Sequence, residues 1–176
     1  ILQLRMISTR ELLAPIPLVV RGLQVATGKA VRLSIDAGLG ELDKAVAERI
    51  FPAIVHLIRN AVDHGIEPRE ARLAAGKPEE GVITITCRER SSTQLELSVG
   101  DDGGGIDREA VARRAGRAAP RSDAALLDLI ALSGLSTRDE ATATSGRGLG
   151  MDIVKRITEG LGGELFLSDA QGSGTT

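Results

Sequence analysis

Two neighbouring segments, "VITITCR" (82–88) and "QLELSV" (94–99), alternate apolar and polar residues, and the polar link "ERSST" joins them. A period of two is the pattern of a strand with one face toward a core, and a short polar link makes the pair an antiparallel hairpin. A third stretch, "AVRLSID" (30–36), sets Val31, Leu33 and Ile35 against Arg32, Ser34 and Asp36. Around these strands lie helical patterns: Leu42 to Ile50, then a new helix from Pro52 to His64 that Gly65 ends. Proline suits the first turn of that second helix, where its missing N–H costs nothing. Residues 2–29 read as helical or mixed, interrupted by Pro15 and Pro17, and 66–81 as a polar connector. Residues 107–143 contain modest helical patterns such as "DAALLDLIAL", Gly150 to Glu159 reads as a helix and "ELFLS" (164–168) as a strand. The expected fold is a two-layer α/β (α+β) sandwich, with helices on one face of a mixed, mostly antiparallel sheet.

A chain of 176 residues supports one substantial core. The net charge of −2, from 22 basic and 24 acidic side chains interspersed, lacks the basic bias of a protein that lives on phosphate backbones, so nucleic acid is not expected as a partner. With two Phe and neither Trp nor Tyr, the core must come from Leu, Ile, Val and Ala, and a purine could not be held by stacking. The single Cys87 reads as a small buried side chain suited to a reducing compartment. The longest apolar run, "LLAPIPLVV", is nine residues with two prolines, against the roughly 20 that a membrane-spanning helix needs. A soluble, cytoplasmic protein without membrane insertion is expected. The start at Ile1 and the stop at "GSGTT" suggest a piece of a longer chain, cut before its last strand.

At about 100° per residue, the helix from Pro52 gathers Ile54, Val55, Leu57, Ile58, Ala61 and Val62 on one arc. His56, Asn60, Asp63 and His64 fall opposite, with Arg59 at the border. A solvated face is one reading of the second group. Chemistry is the other, because His and Asn are poorer helix formers than the Glu, Lys or Gln that usually occupy such faces. An amide oxygen such as that of Asn60 suits Mg²⁺, which shares its octahedron with waters and phosphate oxygens. Imidazoles at His56 and His64 can move a proton or meet a phosphate near neutral pH. The eight-residue separation of the two histidines, about 12 Å along a helix, is too long for a single tetrahedral zinc.

"GDDGGGI" (100–106) follows a strand that ends near Val99. It places the Asp101 carboxylate at a strand end, where it can accept from an exocyclic amine, and lets a ligand lie against the main chain of Gly103 and Gly105. An acidic turn remains open as a reading; a calcium loop would need further oxygen ligands that "GGGID" lacks. In "TSGRGLGMDIVKR" (144–156) the spacing Gly146-x-Gly148-x-Gly150 is one residue short of the dinucleotide fingerprint, and no strand precedes it. Nor is it a P-loop. Unpaired N–H groups and the helix dipole still favour an anion at the start of such a helix.

Taken together, the Asn/His helix face, the D-x-G-x-G after a strand, the G-x-G-x-G before a helix and the terminal "GSGT" resemble the ATPase family of gyrase, Hsp90, histidine kinases and MutL. More narrowly, "HLIRNAVDHGIEPREARLAAGKP", "VGDDGGGID", "SGRGLGMDIVK" and "GSGTT" are similar to the ATP-binding domain of the CheA-type chemotaxis histidine kinases. The resemblance covers residues 31–176 and implies a Bergerat-type ATP-binding fold; residues 1–30 resemble the end of a dimerisation helix and its connector. It implies ATP with Asp101 on the adenine amine, Gly103 and Gly105 beneath the base, and Asn60 on Mg²⁺. His56, at the position where gyrase and Hsp90 relatives place a glutamate, would assist at the metal or in proton transfer. Arg59 and His64 would meet phosphate oxygens, with Asp63 and Ile106 also at the nucleotide. Ser145, Gly146, Arg147, Gly148, Leu149, Gly150 and Met151 would form the loop over the phosphates, and Thr175 would add a hydroxyl near the adenine.

The activity so implied is transfer of the γ-phosphoryl group of Mg·ATP to a histidine on a separate phosphotransfer domain, with a response regulator downstream and a homodimeric full-length protein. The alternatives are a non-catalytic nucleotide-binding scaffold and a gyrase- or MutL-type ATPase, against which His56 argues. Neither histidine here reads as a phosphorylation target. The chain departs from the family pattern at Leu135, where Phe is usual in the lid, and at Gly100, where a larger residue is common. Arg138 is a candidate for the γ-phosphate, and residues 106–145 are expected to order when nucleotide binds.

Overall fold

A computed structural model describes residues 5–132 and 150–176. It divides into two compact units, Ile1–Gly105 with Asp169–Thr176, and Ile106–Ser168.

The first unit opens with strand β1 (Met6–Ser8) and helix α1 (Thr9–Leu13). Ser8 and Glu11 form a reciprocal capping box at the start of α1, satisfying two N–H groups that a helix start leaves over. Helix α2 (Ile16–Thr27) begins rather than breaks at the prolines, with Pro15 as its cap and Pro17 in its first turn. It ends on Gly28, whose φ of 70° is the left-handed conformation that glycine adopts at little cost. Strand β2 (Val31–Asp36) and the short β3 (Glu41–Asp43) follow, β3 pairing antiparallel with β1.

Helix α3 (Lys44–Asn60) is capped by Asp43, whose Oδ1 accepts from the Ala45 N–H at 2.7 Å. The two helices expected on either side of Pro52 are therefore one, with the proline inside it. An interior proline removes a backbone bond and costs about 3 kcal/mol. Burial of Ala47 before the proline and of Ala53, Ile54 and Ile58 after it, all nearly inaccessible, holds the two halves on one core. A π-helical turn, Ala61–Gly65, prolongs α3 and closes with Ile66 N–H donating to the Ala61 carbonyl at 2.7 Å. Such turns re-aim the side chains they carry; here those are Asp63 and His64.

After the short helix α4 (Arg69–Ala74), strands β4 (Gly81–Ser91) and β5 (Gln94–Asp101) make the expected hairpin, with Ser91 paired to Gln94 across a two-residue turn. The central sheet has the order β2-β4-β5, parallel between β2 and β4 and antiparallel between β4 and β5. Its inner face presents Val31, Ile83, Ile85 and Cys87 to Leu12, Leu13, Ile16 and Val20 of α1 and α2 and to Ile54 and Ile58 of α3. Exposed Arg32, Thr84, Arg88 and Glu96 lie on the alternate positions. Helices on one face and polar side chains on the other make the two-layer sandwich expected from the alternation. Cys87 is buried, and that burial, with Asp36 nearby, pushes its thiol up to about 11, so it is an inert core group.

Lys29 staples this unit. Its Nζ donates to the carbonyls of Val62, Asp63 and Ile66 at 2.7, 2.8 and 2.7 Å, capping the carbonyl end of α3 and its π turn. Lys29→Met is expected to cost about 2 kcal/mol, the range for hydrogen bonds from a charged donor. Urea unfolding checks this, and an unchanged midpoint would show that the staple contributes nothing.

The second unit carries α5 (Arg108–Ala115), α6 (Asp123–Ile130) and α7 (Met151–Gly160), with α5 and α6 capped by Asp107 and Ser122. Arg108 pairs with Asp123, and Lys155 with Asp128 at 2.8 Å. Residues 164–168, expected as a strand, are not one. Their alternation is a local signal, whereas a strand requires a hydrogen-bonded neighbour, and among the described residues this segment has no ladder. The chain then returns to the first unit as the hairpin β6 (Asp169–Ala170) and β7 (Gly174–Thr175). Among the described residues, no helix is long and apolar enough to cross a membrane.

Candidate functional site

Three segments of the first unit meet around Asp101. The D-x-G-x-G loop leaves β5 and lands on the end of the π turn, where the Gly104 N–H donates to the Gly65 carbonyl at 3.1 Å. A Cβ at Gly103 would lie 1.9 Å from that same oxygen. One placed on Gly65 would stand 2.7 Å from both Cγ and Oδ2 of Asp101. The carboxylate therefore rests directly against a bare α-carbon, and the two backbones touch because neither carries a side chain. From the other side comes the β6–β7 hairpin. Gly174, at φ 106°, brings its Cα against the Asp101 carbonyl, where a Cβ would be 1.9 Å away. Gly105, at φ 74°, faces the Ala170 carbonyl at 2.9 Å from a would-be Cβ.

The Asp101 Oδ1 accepts from the Gly103 N–H at 2.9 Å, and the carboxylate is also bonded to the Thr175 main chain. Burial, the largest influence, pushes this carboxyl above the ordinary Asp range. The Gly103 and Thr175 N–H groups pull it down, and the nearby charges of Asp102 and Glu67 add to the rise. What results is a partly desolvated acceptor with two fixed protein donors and lone-pair capacity left for a third. The Thr175 hydroxyl is turned to Asp169, donating to its Oδ1 at 3.0 Å, so it is the main chain of Thr175 that reaches Asp101. Gly100, next to this carboxylate, leaves room for Thr176, whose Oγ1 would be 2.8 Å from a Cβ there.

One helical turn apart on α3, Asn60 Nδ2 and His56 Nε2 are 3.0 Å apart. An amide that donates to the ring keeps its oxygen as an acceptor, and both residues are half-buried. Asp63 is half-buried, whereas Arg59 and His64 are exposed. Among the described residues, no group of three or more His, Cys, Asp or Glu could hold a metal ion. An all-protein cage is therefore lacking there, while the Asn60 oxygen with the neighbouring imidazole fits a hard cation that takes most of its ligands from phosphate and water.

Gly150 caps α7, Met151 opens it and Ile106 precedes α5, all in the second unit. Ser145, Gly146, Arg147, Gly148 and Leu149 lie outside the described residues, as do Leu135 and Arg138. The structure thus brings together Asp101, Gly103, Gly105 and Thr175, and separately pairs Asn60 with His56. Sequence reasoning took Gly65 only as a helix terminator and missed Lys29, Glu67, Arg72, Lys77 and Asp102 altogether.

The family model described as histidine kinase-, DNA gyrase B-, and HSP90-like ATPase matches residues 45–176. Chemotaxis protein CheA of Rhizobium meliloti is 41% identical over 89% of this chain and 21% of its own length. CheA of Bacillus subtilis is 37% identical over 99% of this chain and 27% of its own. A gliding motility regulatory protein of Myxococcus xanthus is 38% identical over 98% of the chain and 23% of its own length. The chain thus spans about a quarter of the length of these relatives. Among solved structures, the catalytic domain of the histidine kinase ThkA superposes with a TM-score of 0.61 at 17% identity, covering 99% of this chain and 92% of that one. The histidine kinase domain of the Erythrobacter litoralis blue-light activated kinase gives 0.57 at 21% identity, covering 93% and 61%. The chain belongs to the histidine kinase-, DNA gyrase B-, and HSP90-like ATPase family, and within it to the CheA-type catalytic domains.

Proposed function

We propose that this domain binds ATP with Mg²⁺ and passes the γ-phosphoryl group to a histidine on a separate phosphotransfer domain, in a cytoplasmic pathway that continues to a response regulator. The observation that carries this reading is the Asp101 carboxylate held against the bare α-carbon of Gly65, with two protein N–H donors and lone-pair capacity left for an exocyclic amine. Asn60, through its amide oxygen and assisted by His56, would hold the metal, which would supply positive charge to the phosphate oxygens. His56 orients the Asn60 amide by accepting from its Nδ2 at 3.0 Å, which leaves the amide oxygen for the metal. The γ-phosphorus–oxygen bond breaks, a phosphorus–nitrogen bond to the acceptor imidazole forms and ADP leaves. Such a transfer asks the protein mainly for positioning and charge neutralisation. On the resemblance alone, Arg59 and His64 are assigned to phosphate oxygens, Asp63 and Ile106 to the nucleotide, and residues 145–151 to the phosphate-binding loop. Residues 1–30 are read as the connection to a dimerisation helix of a homodimeric parent.

The test mixes the chain with γ-labelled ATP, Mg²⁺ and the histidine-containing phosphotransfer domain of a CheA relative. Acid-labile label on the acceptor is expected. Nucleotide binding without labelling would favour a scaffold, and phosphate release without acceptor a gyrase- or MutL-type ATPase.

A further inference from the structure

Next to the Asp101 loop lies an ion network, centred on a buried arginine, that uses the connector 66–80. Arg72 is fully inaccessible. Its Nη1 donates to Glu67 at 2.9 Å, its Nη2 to Asp102 Oδ2 at 2.9 Å and its Nε to the Pro78 carbonyl at 2.8 Å. Lys77 Nζ donates to Glu67 at 2.7 Å, to the Asp102 carbonyl at 3.0 Å and to the Gly103 carbonyl at 2.7 Å. Asp102 Oδ1 in turn accepts from the Val82 N–H on β4 at 2.8 Å. Burial, the largest influence on Glu67, works to raise its carboxyl, but the bonds from Lys77, its own backbone and Arg72 together hold it below the usual range. Two cations and two carboxylates thus balance around a guanidinium that water does not reach.

The network has a direction. Lys77 binds the carbonyls of the two residues that follow Asp101, and the peptide unit whose Asp102 oxygen it holds carries, on its other side, the Gly103 N–H that orients the Asp101 carboxylate. We infer that Lys77 and Arg72 are positioning residues for base recognition: they fix the Asp102–Gly103 main chain so that Asp101 presents its carboxylate to the 6-amino group of adenine, without touching the nucleotide. This rests on the adenine reading of Asp101 given above.

The test separates recognition of the amine from everything else a nucleotide does. Affinities for ATP and for purine riboside triphosphate, which lacks the 6-amino group, are measured for the wild type, Lys77→Met, Lys77→Arg and Arg72→Lys. Wild type should prefer ATP by about 10-fold or more, the range for a hydrogen bond to a charged group. Lys77→Met should lose most of that preference while binding the purine analogue as before, and Lys77→Arg should restore part of it. Arg72→Lys, which keeps the buried charge, should fall between. Lys77→Met with undiminished preference, or with both affinities reduced equally, overturns the positioning role and leaves the adenine reading standing. A wild type that binds the two triphosphates equally overturns that reading and this inference with it.

Discussion

Asp101→Asn is expected to weaken ATP binding by about 100-fold or more while leaving the fold as stable as the wild type near neutral pH. The reason for the first part is a count of donors. The Gly103 and Thr175 main chains already bond to the carboxylate, and the adenine amine would be a further donor. A carboxylate offers about four acceptor sites, whereas an amide offers one oxygen and two N–H groups of its own. Whichever way the amide turns, an N–H faces an N–H. The second part follows from the raised carboxyl of Asp101, for which burial is the main cause. A carboxyl raised in the folded state contributes stability that is complete below its unfolded value of 3.8 and is lost as pH rises through the folded one. Above that point the wild type carries the cost of a partly desolvated charge, and the amide does not. The stability of the variant relative to wild type should therefore improve as pH rises from 3 to 7. Titration calorimetry and urea melts across that range check both parts. A variant that binds ATP normally, or one that becomes relatively less stable as pH rises, would contradict this account of the site.

The parts of this molecule that were legible in the sequence are those whose signal is local. Ile83, Ile85 and Cys87 alternate with polar neighbours because β4 buries one face, and that pattern needs no knowledge of what covers it. The helix face bearing His56 and Asn60 was legible for the same reason, and so was an aspartate between a strand and a glycine run. Contacts between segments far apart were not. Arg72 sits among Glu, Lys and Pro in a stretch that reads as a solvated connector, yet its partner Asp102 is thirty residues away, and only the fold joins them and removes the arginine from water. The same holds for Lys29, which caps carbonyls more than thirty residues further on. Pro52 misled in the opposite sense: a strong local breaker was overruled by burial on both sides of it. The segment 164–168 shows the converse error, since alternation there has no neighbouring strand among the described residues to make it a ladder.

Gly103→Ala should be the most damaging single methyl that can be added to the loop, costing about 3 kcal/mol or more and abolishing nucleotide binding. Torsion is not the cause, because Gly103 is not among the residues at positive φ. The cause is what stands opposite. The new Cβ would lie 1.9 Å from the Gly65 oxygen and 2.3 Å from its carbonyl carbon, and both are backbone atoms at the end of the π turn. Neither side can yield freely. Gly65 is tied through the π turn that Lys29 caps, and Gly103 through Lys77 at its carbonyl and the Asp101 carboxylate at its N–H. Separating the backbones by about 1 Å, enough to bring the contact toward an ordinary one, would break the Gly104 to Gly65 bond and draw Asp101 off its seat. Gly65→Ala presses instead on the Asp101 side chain, at 2.7 Å. A carboxylate can rotate, so that variant should lose discrimination for the adenine amine with a smaller loss of stability. Gly104→Ala meets nothing closer than the Glu67 carboxylate at 3.7 Å and should unfold like the wild type. Urea midpoints and ATP affinities for the three variants therefore test one geometric claim, that two backbones meet bare at Gly65 and Gly103. A Gly103→Ala protein as stable as Gly104→Ala would mean that they do not.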